Sequence, residues 1–507
     1  MHRLLKILTS RLPLIGILVL VQFCLIVAYI YNFAFLHSLT PILDAIGIFI
    51  VLLVINSRSD PAFKIAWIVI LLVSPAIGVV AYVLFGNRKL PKKLANGTLN
   101  SSRNLKESLE NDPNSTKAYK EDVHAGIMYY GDNQCGFPVY SNTETVFYKS
   151  GEEWLPVYEE ALRSARHFIF IEMFILAEGS LWDEVHAILK EKAATGVDVK
   201  LIYDDFGSVT MHKNLLKELR EEGIEAYAFN RLRPALIVSM NNRDHRKITV
   251  IDNQIAFTGG VNLADEYANR IRRFGYWRDS AIMVKGPAVW SMTSQFLGIY
   301  HYIARGEEKD AQYTRYNLPS GSYDVKGYVQ PFADTPTDGE QMGLTEHLSM
   351  ISEAKRYIYI NTPYLILTDS MMQALENAAA RGVDVRILTP HIPDKMIVFQ
   401  YTQSSYAQLI EAGVRIYEFT PGFNHAKAIV ADDEIALVGT INTDYRSYFL
   451  HFENGVLLCG TDSVMDIHKD FEEALHISHE VTMEEVKHTN ILLVLIRAVL
   501  HVFMPLV

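Results

Sequence analysis

The chain has 507 residues, 49% of them apolar and 21% charged, with a formal net charge of −11. That length supplies several domains with a large buried core, and the mixture excludes an intrinsically disordered chain, a collagen-like chain and a channel embedded along its whole length. Three cysteines, Cys24, Cys135 and Cys459, are too few and too scattered for a disulfide framework or a cysteine-based zinc site.

In chain order, residues 1–90 read as a membrane anchor with hydrophobic segments at 12–36, 42–55 and 65–85. The first runs 25 residues without a charge, more than the roughly 20 that cross a hydrocarbon core of about 30 Å. The second carries Asp44 near its start, and the third contains the Ser74-Pro75 pair. Residues 1–93 hold nine Lys/Arg and two acids, a net +7, whereas the remainder carries −18. Arg3, Lys6 and Arg11 before the first run and Arg88, Lys89, Lys92 and Lys93 after the third both favour the cytoplasmic side. Three full crossings cannot satisfy both, so the expectation is a multi-pass cell-membrane protein with two effective crossings and a cytoplasmic body.

Residues 91–142 read as a linker, because the first thirty are polar, Asn- and Ser-rich and without clear periodicity. From residue 143 helical stretches alternate with β-branched runs such as HFIFIEMFI (167–175) and YIYINTPYL (357–365), the pattern of α/β layering. ATGVDVKLI (194–202) recurs as ARGVDVRIL (380–388), and LREEGIEAYAFN (219–230) as LIEAGVRIYEFT (409–420). The body is therefore two α/β halves, 143–320 and 321–480. Residues 481–507 are expected to hold an apolar helix in the membrane interface, interrupted by Arg497 and His501.

Each half contains one copy of the same polar pattern: His245-x-Lys247-x4-Asp252 followed by Gly259-Gly260-x-Asn262, and His425-x-Lys427-x4-Asp432 followed by Gly439-Thr440-x-Asn442. The i,i+2 spacing on a β-branched stretch sends His and Lys to one face of a strand. A neutral imidazole is a competent nucleophile toward phosphorus, and a second can protonate the departing alkoxide. Lys247 and Lys427 would neutralise nonbridging oxygens, Asn262 and Asn442 would donate hydrogen bonds, and the glycines would let backbone approach the phosphate. Asp279 and Glu453 occupy equivalent places after the two motifs and are the candidates to fix the histidine tautomers. Asp252 and Asp432 belong to the motifs but suit turn closure better than substrate contact.

The duplicated HxKxxxxD with GGxN and GTxN resembles the phospholipase D superfamily. SRSDPAFKIAWIVILLVSPAIGVVAYVLFG, YWRDS, NTPYL and DYRSYFLHFENG resemble the bacterial cardiolipin synthases in particular, over residues 45 to 480. The resemblance implies two pseudo-symmetric α/β/α sandwich halves packed together behind N-terminal transmembrane helices. It implies transfer of a phosphatidyl group between two phosphatidylglycerols through a phosphatidyl-histidine on His245, with His425 as general acid and then base. It also implies no cofactor and no metal. A membrane phospholipase D hydrolase or another phosphatidyltransferase is the competing function. Residues 231–278 carry nine bases and four acids, a patch expected to attract anionic membrane lipids. Net acidity and the apolar N-terminus disfavour nucleic acid as a partner. Trp277, Tyr364 and Tyr445 are expected to fill the core rather than touch acyl chains.

Overall fold

The hexapeptide Phe168–Met173 is buried along its whole length, as an apolar run covered on both faces of a sheet must be. Its side chains alternate: Phe168 and Phe170 join one core with the helix Val289–Ala304, while Ile169, Ile171 and Met173 join another with the helices Gly151–Ser164 and Ser180–Ala194. The computed structural model describes residues 40–57, 59–86, 92–110, 112–232, 241–304 and 313–503.

The first half supplies β1 (Glu144–Tyr148), β2 (Phe168–Met173), β3 (Asp198–Asp204), β4 (Glu225–Phe229), β5 (Ile248–Ile251), β6 (Ile255–Gly259), β7 (Tyr276–Arg278) and β8 (Ala281–Lys285). The second supplies β9 (Tyr328–Asp334), β10 (Tyr357–Asn361), β11 (Asp384–Pro390), β12 (Arg415–Phe419), β13 (Gly422–Asn424), β14 (Ala428–Ala431), β15 (Ile435–Gly439), β16 (Glu453–Cys459) and β17 (His479–Glu480). The sheet orders are β1-β8-β6-β5-β2-β3-β4 and β17-β12-β11-β10-β14-β15-β16-β9. Counted from β4 and from β12 they correspond strand for strand. In each, three parallel strands continue into an antiparallel set. The repeat seen in sequence is thus a repeat of topology.

Asp252 and Asp432 close the hairpins β5–β6 and β14–β15. Each is followed by a second residue of positive φ, at Asn253 and Asp433, as a type I′ turn requires. The Asp252 carboxylate accepts the backbone N–H groups of Arg166, His167 and Phe168 at 2.7–2.8 Å. Asp432 accepts those of Lys355, Arg356 and Tyr357 at 2.7–2.9 Å. Both therefore pin the start of the central strand, β2 or β10. Both carboxylates are thus occupied by backbone N–H groups.

Residues 91–142 depart from the expected linker. Lys92–Glu110 is a helix, and its buried positions Thr98, Ser101, Leu105 and Leu109 form one stripe at helical spacing. Gly298 of the helix Val289–Ala304 lies beneath it, close to Ser101 O and Leu105 Cβ. Two polar members of that stripe hide it from a search for apolar periodicity. Tyr119 and Tyr140, both fully buried, continue the same core.

A separate compact unit comprises residues 1–95, 230–242 and 490–507. Its described helices are Thr40–Ile55, Pro61–Val73, Pro75–Ala81 and Ile491–Phe503. Asp60 caps the second through Ala62 N–H at 2.9 Å, and Ser74-Pro75 breaks the third hydrophobic run into two helices, since proline removes a donor and restricts the residue before it. Ile50, Val54, Phe63, Trp67, Leu71 and Val79 form the unit's core. Its outer surface is also apolar, with Ile48, Phe49, Leu52 and Val73 exposed, and no residue of Ile491–Phe503 is buried. Among the described residues no helix is long and apolar enough to cross a membrane. The expected span at 12–36 lies outside those residues, and the segments at 42–55 and 65–85 are short helices.

Candidate active site

Both His-x-Lys segments lead into the first strand of an antiparallel hairpin, β5 or β14, and each is clamped by the opposite half. The residue before His245 pairs in parallel with the residue before Glu453, as Asp244 with Phe452, and His245 N–H donates to Phe452 O at 2.9 Å. In the other copy β13 pairs in parallel with β7, setting Asn424 beside Arg278, and His425 N–H donates to Arg278 O at 2.6 Å. The same register on both sides carries each histidine to the acid of the other half. His245 Nδ1 lies 2.9 Å from Glu453 Oε2, and His425 Nδ1 lies 2.7 Å from Asp279 Oδ2. Each carboxylate accepts from Nδ1–H, which leaves Nε2 of both imidazoles with a free lone pair.

The glycines make room for the neighbouring strand of their own half. A Cβ on Gly260 would lie 1.9 Å from Asp279 Oδ1, and one on Gly439 would lie 2.3 Å from Asn454 O. Where the first half has Gly260 the second has Thr440, whose hydroxyl donates to Glu453. Asn454 Nδ2 donates to Thr258 Oγ1 at 2.8 Å, a further bond between halves. Asn262 Oδ1 accepts Ile175 N–H at 2.9 Å, while its Nδ2 is buried with no acceptor among the described residues. Asn442 is turned toward Asp444 through its side chain. The Asn262 side chain in turn faces the Tyr267 hydroxyl.

Lys247 Nζ donates to His245 O at 2.7 Å and Lys427 Nζ to His425 O at 2.6 Å. Burial pushes Lys247 down to about 8 and Lys427 to about 7. Burial and then the two lysines hold both histidines well below the ordinary imidazole range, so they are neutral at pH 7. Lys247 and Lys427 each act on both imidazoles, which places the two motif copies at one site. Because the lysines bind protons less tightly in the fold, the unfolded chain takes protons up between pH 7 and 10.5, and their contribution to stability rises with pH across that window. Replacing Lys427 with methionine should therefore raise the denaturant midpoint at neutral pH while abolishing turnover. In the unaltered chain kcat/KM should fall as pH rises through about 7 to 8, when these cations are lost. Chemical denaturation and steady-state kinetics over that range check both.

The basic stretch 231–278 is less exposed than its composition implies. Arg246 is paired with Glu172 at 2.6 Å, Arg243 with Asp204 at 3.4 Å, and Arg278 with Asp470, Asn361 and Asn424, all buried. Arg270 pairs with Glu184 at the surface, Arg231, Arg272 and Arg273 are exposed, and Arg233 lies outside the described residues. Trp277 and Tyr445 are buried, as expected of core residues, whereas Tyr364 is half-buried and donates to Asp394 at 2.7 Å.

Sequence reasoning misses His451. Its ring centroid is 5.5 Å from that of His245, its Nδ1 is 3.5 Å from Glu453 Oε1, and Arg446 Nε donates to its Nε2 at 3.4 Å. The His425 side has no such imidazole; there Trp277, Tyr267 and Phe423 surround the ring at 5.1–5.8 Å. The signal is present in HFENG, where a histidine stands two residues from the acid, but nothing in the first half repeats it. His245, His451 and Glu453 place ligating atoms within 4.8 Å of one another, the one such group among the described residues. Glu453 already accepts from His245 and Thr440, and His451 Nδ1 approaches it without a hydrogen bond, so the carboxylate is first the partner of His245.

The family model described as "Cardiolipin synthase, PLD-like domain" matches residues 158–288 and 347–475, one stretch in each half. A second, "Phospholipase_D-nuclease N-terminal", matches 42–87. A cardiolipin synthase of Alkalihalophilus pseudofirmus is 34% identical over 480 residues, 93% of this chain and 95% of that protein. One of Halalkalibacterium halodurans is 33% identical over 445 residues, 87% and 88% of the two chains. The crystal structure of a phosphatidylserine synthase of Haemophilus influenzae shares the fold, with a TM-score of 0.58 at 14% identity over 75% of this chain and 97% of its own.

Proposed function

This chain belongs to the PLD-like cardiolipin synthase family, and from that premise we propose that it makes cardiolipin and glycerol from two molecules of phosphatidylglycerol. The observation that carries this reading is the crossed pair of buried, neutral imidazoles, each held at Nδ1 by a carboxylate and flanked by a lysine. His245 Nε2 attacks phosphorus, the bond to the glycerol oxygen breaks, and His425 Nε2–H gives that oxygen a proton. His425, now neutral, takes the proton of the incoming hydroxyl, whose oxygen displaces His245 from phosphorus. Lys247 and Lys427 stabilise the charge on the nonbridging oxygens, and the Asn262 amide adds a donor. His425 is held low by burial and then by the two lysines, and the negative charge of the bound diester opposes both and lets it enter protonated.

The apolar outer surfaces of Thr40–Ile55, Pro61–Val73 and Ile491–Phe503 support membrane attachment through short helices lying in the bilayer interface. The test supplies phosphatidylglycerol vesicles as sole substrate to the purified full chain. Cardiolipin and glycerol should appear in equal amounts, with no loss on adding EDTA. Phosphatidic acid as the sole lipid product would replace the synthase reading with hydrolysis, and a metal-reversible loss would overturn the two-histidine chemistry.

A further inference from the structure

Among the described residues of the body that carries the site, eleven large apolar side chains are exposed, and five of them, Phe206, Ile271, Ile392, Met396 and Ile397, lie on segments that frame the two histidines. Single exposed apolar residues need no explanation; concentration around one site does. Phe206 follows β3 and lies under the Arg243 guanidinium, two residues before His245. Ile392 follows β11, its N–H donates to Gly422 O at 3.2 Å, and its side chain reaches Gly275, so it touches both β13 and the 269–275 loop that holds Ile271. Met396 and Ile397, each 64% exposed, begin the helix Met396–Ser404. Beside them Lys395 Nζ donates to Tyr364 OH at 2.7 Å, the Tyr364 ring lies 6.4 Å from Phe423, and Phe423 lies 5.8 Å from His425. The Lys395 charge is felt at both catalytic imidazoles.

We infer that these segments form a lip that enters the interface of an anionic bilayer, so that a headgroup reaches the histidines while its acyl chains stay in the lipid. The inference rests on the proposed phosphatidyl transfer. The charge pattern favours a bilayer as the occupant. The apolar residues are interleaved with exposed Lys395, Arg272 and Arg273, while Asp394 is tied to Tyr364 and Lys395; apolar tips among cations match an anionic interface.

The test uses the full chain with Cys24→Ser and Ile397→Cys, labelled with an environment-sensitive fluorophore; Cys135 and Cys459 are buried. On vesicles containing phosphatidylglycerol the label should shift to the blue and be quenched by nitroxide lipids, and on phosphatidylcholine vesicles it should shift less. In parallel, the Met396→Ser/Ile397→Ser double variant should lose roughly ten-fold or more of its rate on phosphatidylglycerol vesicles and keep its rate on monomeric short-chain phosphatidylglycerol. An aqueous label on an active protein in vesicles, or equal losses on both substrates, would overturn the lip. If the unaltered chain makes no cardiolipin from either lipid, the proposed function fails instead, and a lipid-embedded label still supports the lip.

Discussion

With His425 replaced by alanine and a labelled phosphatidyl ester of p-nitrophenol as donor, one equivalent of p-nitrophenol should be released rapidly and the phosphatidyl group should remain on His245. A phenolate leaves without a proton, so the first displacement does not need His425. The second does, because a glycerol hydroxyl is a poor nucleophile until a base takes its proton. Steady turnover of phosphatidylglycerol should fall by roughly 10⁴-fold or more, and acid-labile, base-stable label should map to the peptide containing His245. The converse variant, His245→Ala, should give neither burst nor adduct. The motif copies are too alike to assign these roles, and the environments of the two rings differ: His245 lies against His451 and Phe174, and His425 lies among three aromatic side chains. Label on His425 in the His245→Ala protein would reverse the assignment.

How much of the fold and the site can be read from the amino-acid order depends on whether the signal is local. The strands at 168–173 and 357–361 and the His-x-Lys pairs declare themselves through short-range periodicity, and duplication raises a weak motif above chance. Asp279 and Glu453 stand out as equivalents for the same reason. Which histidine each serves is not legible, because the answer lies in two parallel contacts, Asp244 with Phe452 and β13 with β7, that join residues about 150 to 210 positions apart. The glycines mislead because their neighbours are set by strand pairing: Gly260 is small because Asp279, just before the adjacent strand β8, occupies the place of its side chain. The helix Lys92–Glu110 escapes notice because Thr98 and Ser101 stand at buried positions of its stripe. The short helices at 40–81 show the limit of hydropathy, which measures a run's total and is blind to the break that Ser74-Pro75 imposes.

Crossed pairing makes the acids separable by kinetics. Glu453→Gln should cost about 10³ to 10⁴ in turnover, since a neutral amide no longer fixes the Nδ1–H tautomer that leaves His245 Nε2 free to attack. The burst from the p-nitrophenyl donor should slow by the same factor, and in a His245→Ala background Glu453→Gln should cost nothing further, as for groups that act as one unit. Asp279→Asn should instead leave the burst largely intact and slow release of the adduct, because Asp279 serves His425. An arrangement in which each acid served the histidine of its own half would exchange these two phenotypes. Burial raises Asp279 to about 6, above its unfolded value, so it takes up a proton as pH falls through that point and His425 then loses its fixed tautomer. Adduct breakdown should therefore decline below pH 6 in the unaltered chain, and Asp279→Asn should abolish that acid limb. Replacement of Thr440 by valine removes one donor to Glu453 without touching Asp279, and should slow the burst alone by about ten-fold. Rapid-mix measurement of burst and steady rates for the three variants distinguishes a crossed site from two parallel ones, and a Glu453→Gln protein with an undiminished burst would rule out the crossing as the source of catalytic geometry.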